Sequence, residues 1–194
     1  MVHKDSNGLN VLLTRRSVPA LQLHEPGPSA GQIAVAIDAA LRAPDHGGLK
    51  PLRCVLIQGA ARARLSELFV RTMQQREPPA PAGKLEKART MPLVAPLVIA
   101  LAAHVRTNHK VPEHEQLLAS GAATMNLLNA FHAQGFGAVW LTGPNAYDSK
   151  ITNALGFAPE ERCLGFLYVG TGGWPEGSAP PSVERSAFVR DWSG

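Results

Sequence analysis

The chain has 194 residues, 45% of them hydrophobic and 18% charged, with a formal net charge of +4. That balance suits one globular domain around one core and excludes a disordered chain, and no apolar run reaches the ~18 to 20 residues of a helical membrane span. The basic residues are scattered singly and in pairs, without the clustered charge of a nucleic-acid footprint, so anionic small molecules are the expected partners.

At the N-terminus, Met1-Val2-His3-Lys4-Asp5 has no apolar h-region, so no secretory signal is expected and the cytoplasm is the default location. Leu9 to Leu13 form a short apolar segment that ends a first helix, and the cationic turn Arg15-Arg16-Ser17 follows it. Ser29 and Gln32 have capping-box spacing, and Ile33, Ile37, Ala40 and Leu41 continue at helical spacing to Arg42. Pro44 takes Ala43 out of the helix, and Asp45, Gly47 and Gly48 favour a tight exposed turn that carries Arg42 and His46.

Cys54 to Ile57 reads as a buried strand stopped by Gly59, and Ala60 to Gln75 as a helix with Leu65, Leu68, Phe69 and Met73 on one face. Glu77 to Gly83 holds three prolines and reads as a loop, a candidate lid. Pro96 to Ala103 is a second buried strand. Pro112, with Glu113 and Glu115 behind it, starts a long helix through Leu117, Leu118, Met125, Leu128 and Phe131, stopped by Gly135. Within that helix Ala119 to Thr124 is small on every side, which suits close packing against the chain's own sheet or against another subunit. Phe136 to Leu141 is a third strand, Lys150 to Leu155 a short helix, and Cys163 to Val169 a fourth strand. The tail is rich in Gly, Pro and Ser and ends in Phe188-Val189-Arg190-Asp191-Trp192, an apolar end that should dock. Two helices precede the first strand, so the pattern is α+β, a central sheet flanked by helices, rather than a βαβ series.

Cys54 and Cys163 lie in strands, outside any CxxC, and read as buried thiols. His104, His109 and His114 recur at intervals of five, but no HExxH is present and Pro112 interrupts the set, so no metal site is assigned. Gly135-Phe136-Gly137 opens a strand after a helix, the wrong order for a Rossmann fingerprint, and no GxSxG elbow occurs. What remains is Arg15, Arg16 and Ser17, whose guanidinium and hydroxyl donors match phosphate oxygens. Beside them stand Arg42 with His46, and Trp140-Leu141-Thr142, where an indole and a hydroxyl leave a strand end and could meet a planar ring.

In chain order Leu12-Leu13-Thr14-Arg15-Arg16-Ser17, Arg42-Ala43-Pro44-Asp45-His46, Asn108 to Pro112 with Glu115-Gln116, Ala133 to Gly137 with Trp140, and Gly165 to Gly170 form five separated motifs. In this order the chain resembles the nitroreductase family of flavoproteins, and most closely its small bacterial NAD(P)H nitroreductases of the YdjA type, from about Val11 to Thr171. The resemblance implies a nitroreductase-like α+β fold with a mostly antiparallel sheet. It also implies an intertwined homodimer with FMN at the subunit interface, in which residues 171–194 form an arm that docks on the partner. It assigns FMN contacts to Arg15, Arg16, Ser17, Arg42, His46, Trp140, Leu141 and Thr142. Arg42 and His46 are expected to reach the flavin of the other chain, and Arg42 is the candidate cation beside the ring's N1 and O2. The implied reaction is ping-pong: NADH or NADPH gives up a hydride, and an electron-poor acceptor such as a nitroaromatic or quinone takes it, with no side chain assigned as catalytic. The alternative is a flavin-binding store or sensor without turnover. Ala130 to Gly135 matches a segment proposed for nicotinamide, although bare carbonyls at a helix C-terminus repel phosphate. Ala20 stands where many relatives have Arg, and Leu52 where they often have Trp.

Overall fold

The computed structural model describes residues 6–76, 78, 80–175 and 182–194. Its centre is β2 (Leu97–His104), an unbroken apolar run buried on both faces until its last residue. Such a strand needs cover on two sides. It pairs antiparallel with β1 (Leu52–Gln58) and with β4 (Glu161–Gly170), and β4 carries β3 (Gly137–Leu141) on its outer edge, giving the order β1-β2-β4-β3. All three pairings are antiparallel. The expected strands are present, each extended or trimmed by one or two residues.

Alternation along β2 divides the core. Val98, Ala100 and Ala102 join Phe166 and Tyr168 of β4 on one face. That face is covered by α3 (Ala60–Gln74), α4 (Ala82–Val94) and α6 (Ser149–Ala154), with the Phe69 ring edge-on to Phe166 at 5.2 Å. Leu97, Ile99 and Leu101 join Leu167 and Val169 on the other. There α2 (Ala30–Ala40) lies against α5 (Glu113–Ala133), and Asn126 Nδ2 of α5 donates to the Ala39 carbonyl at 3.1 Å. Helix α1 (Ser6–Thr14) rests on α5.

The capping box at α2 forms as its spacing predicts: Gln32 N–H donates to Ser29 Oγ at 3.3 Å, and Ser29 N–H to Gln32 Oε1 at 2.9 Å. Two expectations change, and one left open is decided. Helix α4 was not expected; the loop foreseen over Glu77 to Gly83 already becomes helix at Ala82, while Glu77 and Pro79 lie outside the described residues. The strand thiols are half-buried rather than buried, though burial still pushes Cys54 up to about 11. The small stretch of α5 mostly faces the chain's own core, with Ala119, Ser120, Ala123 and Thr124 buried, and leaves Leu118 and Met125 outside.

Candidate functional site

Three remote pieces of chain meet at the start of β3. The segment after α1 runs beside this edge strand and ties to it by Val18 N–H donating to the Ala138 carbonyl at 3.0 Å. The chain leaving β4 is held against the same segment by reciprocal backbone bonds between His24 and Thr171, at 2.8 and 2.9 Å. The third piece is the end of α5. Gly135, at φ 86°, stops that helix in a Schellman turn, with Phe136 N–H on the Phe131 carbonyl and Gly135 N–H on the His132 carbonyl, both at 2.9 Å. Those bonds occupy carbonyls that would otherwise repel an anion. Gly137 lets the pieces close, since a Cβ there would stand 2.5 Å from the Gly172 carbonyl oxygen.

Between them lies a cavity of about 290 Å³ lined by Arg15, Arg16, His132, Phe136 and Trp174, with the backbone of Gly172 and Gly173. Among the described residues, none that lines it is acidic. Arg15 Nε and Nη1 are fully buried and have no hydrogen-bond partner among the described residues. Each buried donor left unmade costs about 1 to 3 kcal/mol, and an anion entering the cavity would meet both. The Arg16 guanidinium stacks on the Trp174 ring, 4.3 Å from its centroid, and Trp174 Nε1 donates to the Ser17 carbonyl at 3.2 Å. The root of the C-terminal arm therefore organises the Arg-Arg-Ser turn of its own chain.

His132 Nε2 stands 3.0 Å from Thr14 Oγ1, whose single proton goes to the Asn10 carbonyl at 2.7 Å. Burial first, and then the neighbouring Arg15 charge, hold the His132 imidazole below its ordinary pKa of 6.5.

Arg42 and His46 are not part of this cavity. Arg42 lies just beyond α2 and is exposed. His46 Nδ1 is 2.6 Å from Glu115 Oε2 in the first turn of α5, and Asp45 Oδ2 accepts from Lys50 N–H at 2.6 Å. Gly47 and Gly48 supply the positive φ, 77° and 65°, that the turn needs.

Trp140 points its Nε1 at the Leu164 carbonyl, 2.9 Å away. This contact is built around the irregularity in β4, where Gly165 takes φ 123° and a Cβ would meet Leu141 O at 2.5 Å. Leu141 and Thr142 line a second cavity of about 330 Å³, with Phe69, Met73, Met91, Phe166 and Tyr168 as apolar walls and Lys84 and Lys87 on the α4 side. Burial pushes the Tyr168 phenol up to about 12, so it stays a neutral hydroxyl. Arg76 also lines this cavity but is committed to Asp148 Oδ2 at 2.8 and 3.0 Å.

The structure thus gathers Arg15 and Arg16 with the start of β3, leaves Ser17 exposed beside them and outside the cavity lining, sets Leu141 and Thr142 by a second hollow, and keeps Arg42 and His46 apart. His132, Trp174 and the α4 lysines escaped the sequence. A histidine in the last turn before a stop glycine and a tryptophan after Gly172-Gly173 were the available signals.

The sequence profile described as "Nitroreductase family" matches residues 12–171. The chain is 36% identical over 169 residues to "Putative NAD(P)H nitroreductase YdjA" of Escherichia coli K12, covering 85% of this chain and 88% of that protein. It superposes on a nitroreductase-like family protein of Bacillus cereus with a TM-score of 0.82 at 22% identity, over all of both chains. A putative nitroreductase of Desulfovibrio desulfuricans, solved in complex with FMN, matches with a TM-score of 0.72 at 18% identity, over 97% of this chain and 98% of that one.

Proposed function

The chain belongs to the nitroreductase family, and from that premise we propose that it is an FMN-dependent oxidoreductase that uses NADH or NADPH to reduce an electron-poor acceptor, nitroaromatic or quinone-like. The observation that carries this reading is Arg15, with two buried donors unmet among the described residues, in a cavity that holds a second guanidinium and, among those residues, no acid. Such a cavity fits a phosphate and the first part of a polyol chain.

FMN, when bound, supplies the hydride transfer between donor and acceptor. The chain's own residues place and charge-balance it. Arg15 Nε and Nη1 would bind phosphate oxygens, Arg16 is held in place by Trp174, and the Ser17 hydroxyl adds a donor. Leu141 and Thr142, beside an apolar hollow, would flank the ring. No side chain is needed as nucleophile or general base, and turnover is ping-pong because donor and acceptor use one place in turn.

The proposal includes a homodimer. Leu9, Leu12 and Leu13 of α1 and Leu118 and Met125 of α5 are exposed apolar side chains on adjacent helices, which a second copy would cover. Arg42 and His46 sit away from the Arg15 cavity, which supports their acting on the partner's flavin. Residues 171–194 are read as an arm of the single domain; Phe188, Val189 and Trp192 are more than two-thirds exposed, so the tail's docking site is assigned to the partner.

An absorption spectrum of freshly purified protein, followed by anaerobic mixing with NADPH or NADH, tests this. A yellow protein that bleaches rapidly and regains colour with a nitroaromatic or quinone is the expected result. Yellow protein that does not bleach would identify a flavin store, and protein that stays colourless in excess FMN ends the reading.

A further inference from the structure

We infer that His132 is a proton-coupled ligand of the anion that Arg15 holds, so that FMN enters the cavity together with a proton. This rests on the function proposed above and adds a residue to it.

The shorter of two hydrogen bonds favours one tautomer. Thr14 Oγ1 donates its only proton to the Asn10 carbonyl at 2.7 Å, so toward His132 it can only accept. In that arrangement Nε2 of the neutral ring carries the hydrogen, and Nδ1 is the basic nitrogen. Protonation adds an N–H at Nδ1 without breaking the contact to Thr14. The ring is placed for this by the Schellman turn, which uses the His132 carbonyl and sets the side chain on the same cavity as the unmet Arg15 donors.

The charges around it give the sign. From the segment after α1 it shares its cavity with Arg15 and Arg16; the start of β3 and the stretch after β4 add no titratable side chain among the described residues. Without an anion, burial and Arg15 both disfavour the imidazolium. An incoming phosphate offsets the Arg15 charge and attracts the imidazolium, which raises the pKa. The loaded state then binds more protons than the empty one, so affinity strengthens as pH falls. The window opens at the loaded pKa and closes below the empty-cavity value, which lies under 6.5. The second ionisation of a phosphate monoester, near pH ~6, runs the other way. It is common to wild type and variant and cancels in their ratio.

The test is FMN titration of apo wild type and His132→Gln between pH 8 and pH 6, with calorimetry in two buffers of different ionisation enthalpy. Gln keeps an N–H for Thr14 but takes up no proton. Wild type is expected to gain about tenfold over the variant across that range, a full proton giving at most about tenfold per pH unit, with proton uptake absent in the variant. Should the variant misfold, the His132 ring carbon and nitrogen shifts of wild type, followed by NMR through a pH titration with and without FMN, give the same answer. A pKa that rises on loading supports the inference and an unmoved one overturns it. FMN that binds both proteins with the same pH slope overturns this inference alone. FMN that fails to bind wild type overturns the proposed function as well.

Discussion

Two turns in this protein look alike as strings: Arg15-Arg16-Ser17 after α1 and Arg42 to His46 after α2 each place cations at the end of a helix. In three dimensions they are opposites. At the second, His46 lies against Glu115 and Asp45 caps Lys50 N–H, while Arg42 is exposed to solvent. The first leaves two fully buried guanidinium nitrogens without partners. An ion pair between exposed side chains contributes little and asks for nothing, whereas a buried unmet donor is a cost that a ligand can remove. The difference supports the binding site proposed at the first turn, and on the same proposal the second acts on a partner chain.

The comparison can be broken most directly by the double change Arg15→Ala with Arg16→Ala. Charge-assisted bonds are each worth about 1.5 to 3 kcal/mol, so FMN affinity should fall at least ~100-fold in a fluorescence titration. Unchanged affinity would remove the distinction between the turns. Next, Gly137→Ala should lower stability by about 1 to 3 kcal/mol, read as a lower denaturant midpoint, because its Cβ meets the Gly172 carbonyl at 2.5 Å. It should cost FMN affinity as well, since the pieces that wall the cavity must part. Trp174→Ala removes the stacking partner of Arg16. At about 0.5 to 1 kcal/mol for an exposed cation–π contact, a two- to fivefold weaker Kd is expected. The smallest effect belongs to the other turn: His46→Ala should cost no more than about 1 kcal/mol of stability in urea. Arg42→Ala sharpens the contrast: its effect on FMN binding should appear at concentrations where the chain is dimeric and vanish on dilution.

Strands and capped helices were legible because their signals are local. β2 is an apolar run, and Ser29 with Gln32 is a three-residue pattern. Helix α4 was hidden because Pro81 precedes it, Gly83 lies within its first turn and Pro92 within its last. Its inward face amounts to little more than Leu85, Ala88, Met91 and Pro92. The Arg-Arg-Ser turn could be picked out by donor chemistry, and the family resemblance correctly supplied the fold. The partners that complete the cavity could not be read, since Thr14 meets His132 across 118 positions and Ser17 meets Trp174 across 157. Nothing in a lone histidine at a helix end distinguishes a ligand from a residue that merely favours the helix dipole.

Those long separations have a consequence during synthesis. The guanidinium turn at residues 15–17 leaves the ribosome well before its walls at residues 132–138 and 172–175, so on the proposed reading a nascent chain has nowhere to lodge a flavin until those later segments have followed. Cofactor capture is then a late, whole-molecule event, and proteolytic nicking anywhere near Gly172 would release the cofactor while sparing most of the sheet.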